Sequence, residues 1–314
     1  MLSYDDKTIK SIIHRFMNFE KTVKISAFSE NDVCALIAYL RYESTILFHL
    51  GEVEFVFYPR LKEAILKPCY LYSKAEYEML VTQLFTTVQK IRDQICVAPT
   101  MLERELSIHD ALCSKVIYAD NGDESHSIVG PLLYHRGVCD GISKTAKVLL
   151  QECGIKSHVI FGTAITTDGK PEPHAWNVVC LNGKWYHLDV TFDNTLSSSN
   201  VRYDYFNIPT AEITADHAID ASSAVNKVEC VDSNDFYVLN NRYFNSVLNL
   251  KEYLHQCIGQ SECSIQIRVA KELSEKDVVK TFHHAVSSAR GSIYYEQSIN
   301  STRNVYAWSI KYNK

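Results

Sequence analysis

Apolar and polar positions alternate along this chain in two periods, and the switches between them mark out its elements. Asn31-Asp-Val-Cys-Ala-Leu-Ile-Ala-Tyr-Leu sets apolar residues at helical spacing behind an Asn/Asp cap signal and predicts a helix. Val53 to Tyr58, ahead of Pro59, and Ile65 to Leu71 read as strands. A long amphipathic helix is expected from Ala75 to about Cys96, ending before Pro99. Helical spacing returns from Met101 to Tyr118, and the polar run Asp120-Asn-Gly-Asp-Glu-Ser-His-Ser then predicts a surface loop leading to Gly130-Pro131.

Past that loop, Ile142, Ala146, Val148, Leu149 and Leu150 fall on one helical face, so a helix should open at Cys139 and close at Gly154. His158-Val-Ile-Phe-Gly, Ala175 to Leu181 and Lys184 to Val190 read as strands. The last two are joined by Asn182-Gly183, a hairpin signal because both turn positions need positive φ. Eight residues lead back from that turn to His174 and six forward to Asp189, which places both on paired antiparallel strands. A Ser-rich loop from Leu196 to Asn200 and a polar stretch from Thr210 to Val225 follow. A small α/β tail is then expected, with helices from about Leu250 to Ile258 and Lys276 to Ser288 and strands at Ser264 to Val269 and near Ile293 and Val305. The fold class is α+β, in three parts: an N-terminal accessory segment over 1–100, a core over 101–225 and a small C-terminal segment over 226–314.

With 46% hydrophobic and 22% charged residues among 314, the composition is that of a globular protein with a real core. The net charge of −5 gives no whole-chain case for nucleic acid or an anionic membrane surface. No stretch approaches the roughly 20 apolar residues of a membrane helix, and Asp5, Asp6, Lys7 and Lys10 do not lead into a signal-type apolar run. The expected location is cytoplasmic. The ten cysteines are scattered without the density of a disulfide framework, and Cys34, Cys96, Cys113, Cys153 and Cys257 are expected to pack as core on helices.

Three phrases carry the chemistry: Gly-Val-Cys139-Asp-Gly-Ile-Ser, Pro-His174-Ala-Trp-Asn and Trp-Tyr-His-Leu-Asp189-Val-Thr-Phe-Asp. A thiol, an imidazole and a carboxylate are the parts of a nucleophile, base and orienter relay. A thiol at a helix start beside an imidazolium is favoured as thiolate, the reactive form, although Asp140 next to it opposes that charge. Zinc is not expected, because Cys139, Cys153, His158, His174, Cys180 and His187 include no Cys-x-x-Cys or His-x-x-x-His pair. Calcium is not expected either, for want of an Asp-x-Asp-x-Asp-Gly loop. No cofactor is called for. His109-Asp110 reads as a buttress of the site helix, and His283-His284 as helix neighbours pointing apart.

From about Ile108 to His217 the chain resembles bacterial members of the transglutaminase-like superfamily of papain-type fold. The resemblance rests on Ile-His109-Asp110, Gly-Val-Cys139-Asp-Gly, Cys-Gly154-Ile, His174-Ala-Trp-Asn177 and Gly183-Lys-Trp-Tyr-His-Leu-Asp189-Val-Thr-Phe-Asp193, with 35 residues from Cys139 to His174 and 15 from His174 to Asp189. It implies a helix carrying the Cys packed on an antiparallel sheet carrying the His and Asp, with Cys139 as nucleophile, His174 as general base and then acid, and Asp189 holding the imidazole. Phe192 and Asn194 stand where many relatives show Trp and Asp, and His135-Arg136 precede the Cys turn. The Arg-Gly-Val-Cys139 run is also similar to arylamine N-acetyltransferases, but His-Ala-Trp-Asn argues against them.

The implied function is thiol-dependent acyl transfer or hydrolysis on peptide or glutamine-type amides, through a thioester, with a protein or peptide as substrate. The Cys139 backbone N–H and a side chain upstream, Tyr134 as first choice, are expected to meet the oxyanion. The alternative is a non-catalytic protein-binding or scaffold module on the same fold, a role that usually follows loss of a triad residue.

Overall fold

The computed structural model describes residues 4–166, 169–197, 200–221, 223, 228–289 and 291–313. Parts of the Ser-rich loop (198, 199) and of the polar stretch before Val225 (222, 224, 225) therefore lie outside the described residues. The architecture is mixed α+β, with strands gathered in several mainly antiparallel sheets.

The front of the chain holds α1 (Asp6–Met17), β1 (Val23–Ser26), α2 (Glu30–Glu43), β2 (Leu50–Tyr58) and β3 (Glu63–Tyr70), with the strands in the order β1-β3-β2. Its core is Ile9, Phe16, Val33, Leu36, Leu40 and Leu66 with their neighbours. The cap of α2 is Ser29, whose hydroxyl accepts the Asp32 N–H, so the helix opens one residue before the Asn31-Asp32 signal. α3 (Lys74–Ile95) and α4 (Met101–Lys115) both begin with a capping box, Ser73 with Glu76 and Thr100 with Glu103. α4 stops short of Tyr118, because Ile117–Tyr118 forms β4, paired in parallel with β5 (Arg136–Gly137).

α5 (Cys139–Glu152) opens on Cys139 as expected, and Gly154 supplies the positive φ of 77° just past its end. Tyr77, Leu80, Leu84 and Val88 of α3 share one core with Ile142, Ala146, Leu149 and Leu150 of α5. The polar run after Asp120 is not wholly surface: Ser125 and Ser127 are buried on the start of α5. The Ser125 carbonyl accepts the Val138 N–H at 3.1 Å and lies 2.1 Å from where a Cβ on residue 141 would be. Only glycine fits there, which gives the Gly of Cys139-Asp-Gly a packing reason.

β6 (Lys156–Ile165), β7 (Pro171–Leu181) and β8 (Lys184–Leu188) follow, and α6 (Val190–Leu196) begins at once. Asn182 and Gly183, at φ 51° and 83°, make the predicted hairpin turn between β7 and β8. After α7 (Thr210–Ile213), β9 (His217–Ile219) joins the far edge, giving the antiparallel order β8-β7-β6-β9 with α5 packed on it. The tail contains α8 (Phe236–Leu239), β10 (Tyr243–Phe244), α9 (Val247–Gly259), β11 (Ser264–Val269), α10 (Glu275–Ser287), β12 (Ser292–Asn300) and β13 (Val305–Asn313). Its sheet runs β10-β11-β13-β12, and Leu254, Ile267, Phe282 and Trp308 lie in its own core.

All ten cysteines are free thiols. Cys113, Cys153 and Cys257 are buried, and Cys96 is half-buried with its sulfur 3.1 Å from that of Cys153. Cys34 corrects the expectation, because it sits on the solvent face of α2, opposite Val33, Leu36 and Leu40. Among the described residues no helix is long and apolar enough to cross a membrane.

Candidate active site

The start of α5 presents Cys139 where the helix has unpaired N–H groups and where negative charge is favoured. β7 brings up His174, opposite Gly162 of β6. Asp189 arrives by a different route from the one its sequence suggests. It is not a strand residue: β8 ends at Leu188, and Asp189 is the N-cap of α6, its Oδ1 accepting the N–H groups of Thr191 (2.9 Å) and Phe192 (3.1 Å). Asp is among the preferred helix N-caps, and capping wins over continuing the strand. That turn frees Oδ2 to meet His174 Nε2 at 2.7 Å. The other ring nitrogen, Nδ1, is not used by Asp189, and Cys139 lies within electrostatic reach of the ring.

His174 is buried, which by itself would favour neutral imidazole, yet the Asp189 carboxylate outweighs burial. With Cys139 adding to the effect, the imidazole pKa is pushed up to about 10. Asp189, despite full burial, is held below the ordinary carboxylate range by His174 and by a second imidazole, His217. His217 Nε2 lies 3.0 Å from the same Oδ2, and His217 Nδ1 lies 2.6 Å from Asp216 Oδ1.

Trp176 both packs in the sheet and lies against the His174 ring. It is buried in the sheet, its ring is stacked on His174 at 5.9 Å and meets His217 edge-on at 5.0 Å, and its N–H donates to His187 Nδ1 at 3.1 Å. Asn177 ties the pieces together, its side-chain NH2 donating to the carbonyls of Ser143 on α5 (3.0 Å) and His158 on β6 (3.4 Å). His109 acts as a buttress: its Nε2 is 3.0 Å from Asp193 Oδ2, joining α4 to the helix that Asp189 caps. Asn194 faces away from the site and donates to the Leu112, Cys113 and Val116 carbonyls at the end of α4.

Asp140, whose charge beside Cys139 looked adverse, is surrounded by cations. Lys144 lies 3.3 Å from it, His126 3.0 Å and Arg41 3.7 Å. Burial alone would raise its pKa, but these partners bring it down to about 2. The aspartate is thus an anion already paired, and the start of α5 keeps a surplus of positive groups. Arg41 comes from α2, as does Glu43, which holds Lys147 (2.6 Å) and His158 (2.9 Å). The front segment thus anchors the helix that carries Cys139.

A cleft of about 600 Å3 opens beside His174, lined by Tyr118, Glu172, Phe192 and Tyr205 and by the β12–β13 turn at Ile299 to Thr302. Phe192, one of the departures noted in the sequence, is a wall of this cleft, 4.8 Å from the His174 ring. Tyr134 is more than half exposed and does not line it. Tyr118 does, and it is in the electrostatic reach of Cys139, since β4 pairs Tyr118 with Gly137 two residues before the thiol.

His174, Asp189 and His217 also form the one cluster of metal-ligand atoms among the described residues, all within 4.8 Å of one another. It is not the set weighed from the sequence. Both imidazoles meet a single carboxylate oxygen at hydrogen-bond distance, and 2.7 Å is shorter than the roughly 3.3 Å between tetrahedral ligand atoms around zinc. The geometry fits protons better than an ion.

Fold and site together define an α+β protein with a cysteine at a helix start and a hydrogen-bonded His–Asp pair beside it on an antiparallel sheet and the cap that follows. Residues 89–190 match the Transglutaminase-like superfamily, so this third of the chain, which contains all three relay residues, is a transglutaminase-like domain. No curated protein matches the chain. Among solved structures it is similar to a TGase at 14% identity, over 54% of this chain and 51% of that one, with a TM-score of 0.32. It is also similar to a candidate cysteine protease from Cytophaga hutchinsonii at 12% identity, over 57% and 72%, TM-score 0.31. A candidate protease from Parabacteroides distasonis shows 9% identity over 84% and 62%, TM-score 0.30. The chain thus spans about half the length of that TGase, and likenesses at these scores transfer neither fold detail nor chemistry.

Proposed function

We propose that this protein is a thiol-dependent amidase or acyltransferase acting on peptide or glutamine-type amides. The observation that carries the reading is the His174–Asp189 pair, 2.7 Å apart, with Cys139 at the start of α5 within electrostatic reach of the imidazole. The Cys139 sulfur attacks the amide carbonyl and forms a C–S bond. The oxyanion is met by the Cys139 backbone N–H and, in place of Tyr134, by the Tyr118 hydroxyl. The His174 proton passes to the amine as the C–N bond breaks, leaving a thioester. Water or a second amine then attacks the thioester and gives a proton to His174, and as the C–S bond breaks Cys139 leaves as the thiolate beside the imidazolium. Water yields peptide cleavage or deamidation, and an amine yields a cross-link.

Incubation with a peptide library and a primary amine, read by mass spectrometry, separates the three products by mass. Cys139→Ala should abolish all of them with the fold intact, and turnover surviving in that variant would remove Cys139 as nucleophile. Iodoacetamide should alkylate Cys139 preferentially below neutral pH; an inert Cys139 would favour the scaffold alternative.

A further inference from the structure

Asp189 serves two histidines, and the second has no part in the relay as described. His217 opens β9, its side chain is fully buried, and both ring nitrogens face carboxylate oxygens: Asp189 Oδ2 at 3.0 Å and Asp216 Oδ1 at 2.6 Å. The far oxygen of Asp216 accepts the Tyr205 hydroxyl at 2.5 Å, which Asn300 reaches at 3.4 Å. A neutral imidazole has one N–H and one lone pair, so it would set that lone pair against a carboxylate. Asp189 has little room for a proton, because its Oδ1 takes two backbone N–H groups and its Oδ2 also takes His174.

We propose that His217 is a buried imidazolium clamped between Asp189 and Asp216, and that it is a positioning residue which fixes Asp189 on His174 and divides that carboxylate's charge between two cations. The catalytic part of this rests on the function proposed above. The groups facing His217 are the two aspartates, the imidazoles of His174 and His187, the Tyr205 phenol, and the Trp176 and Phe192 rings at 5.0 and 4.7 Å. The electrostatic surroundings agree with the charge assignment. Burial would lower the His217 pKa, but Asp189 and Asp216 raise it overall. His187 is kept neutral, brought down to about 3 by burial and by the charge on His217, while its Nδ1 accepts the Trp176 N–H. The sheet thus holds one histidine charged and its neighbour uncharged. The arrangement also has a function for catalysis: with one cation already on Asp189, the carboxylate holds the His174 proton less tightly than it would alone, and the proton stays transferable.

The test is nitrogen NMR of the full chain labelled at histidine, with His217→Gln used to assign the signals. Both ring nitrogens of His217 should be protonated and should not titrate from about pH 5 to about pH 8, where free histidine does. A neutral tautomer in that range overturns the clamp. Asp216→Asn, which keeps the shape and removes one carboxylate, should bring the His217 titration into that window, and an unchanged signal also overturns it. In turnover, His217→Gln should lower kcat at least tenfold and move the basic limb of kcat/KM upward by on the order of one pH unit, as a like charge is taken from His174. A loss of kcat with the limb unmoved would mean support of the fold only. The NMR arms need no turnover, so their failure is distinguishable from failure of the proposed function.

Discussion

His174 and Asp189 are held in their charged forms by each other, and this ties the site to the stability of the fold. The His174 pKa is raised from 6.5 to about 10, so between those values the native chain keeps a proton that the unfolded chain has lost. Its stabilising contribution is complete below the unfolded pKa and is lost as pH rises through the folded one; His217, also raised, adds with the same sign. The melting temperature should therefore fall from about pH 7 to about pH 10, and fall less steeply in His174→Gln; parallel curves by scanning calorimetry would contradict the pairing. Tyr118→Phe removes only the proposed second oxyanion donor. A drop in kcat of roughly 10- to 100-fold with little change in KM is expected, and unchanged kcat would return the role to another side chain. The three residues proposed as the relay stand out in the sequence because thiol, imidazole and carboxylate each sit in a local phrase. Tyr118, His217 and the cations around Asp140 do not, since they reach the site only through long-range packing that periodicity does not encode.

The elements whose signals are local came out close to their sequence expectations. Asn182-Gly183 forces a tight turn, and the apolar stripe from Ile142 to Leu150 together with Gly154 bounds α5. What stayed hidden was contact between distant elements. β9 is three residues long and carries no alternation to detect, yet it completes the sheet and delivers His217. Its approach explains Gly162, where an added Cβ would lie 1.9 Å from the Ala218 carbonyl oxygen, so the backbone of β6 or β9 must move to admit one. Gly162 pairs with His174 on one side and Ile219 on the other. Gly162→Ala should therefore destabilise the protein by about 1–3 kcal/mol in urea unfolding and cut turnover by displacing β9. Full activity at reduced stability would show that His217 tolerates movement. Asp189 gives the same lesson in small: alternation reads it as strand, whereas its side chain, by capping α6, ends the strand and turns Oδ2 toward His174.

At the scale of the whole molecule, the surroundings of one thiol draw on all three parts of the chain. α2 contributes Arg41 beside Asp140 and Glu43 beneath Lys147, while the tail contributes the β12–β13 turn to the cleft. That turn is held from below: Arg303 is buried, donates to the Asp204 carbonyl at 2.9 Å and pairs with Glu212, which also pairs with Arg268 of β11. The tail is thus braced to the segment carrying Tyr205 and His217, and the cleft wall at Ser301 and Thr302 has a fixed position although both side chains are exposed. A wall placed there bears on a substrate long enough to lie along the cleft and not on the chemistry at sulfur. Thr302→Trp should raise KM for a peptide substrate severalfold while iodoacetamide alkylates Cys139 at the parental rate, because a small reagent does not need the occupied volume. If KM stays unchanged, substrate enters from another side of His174; if alkylation slows too, the turn shields the thiol itself and the tail would control access as well as recognition.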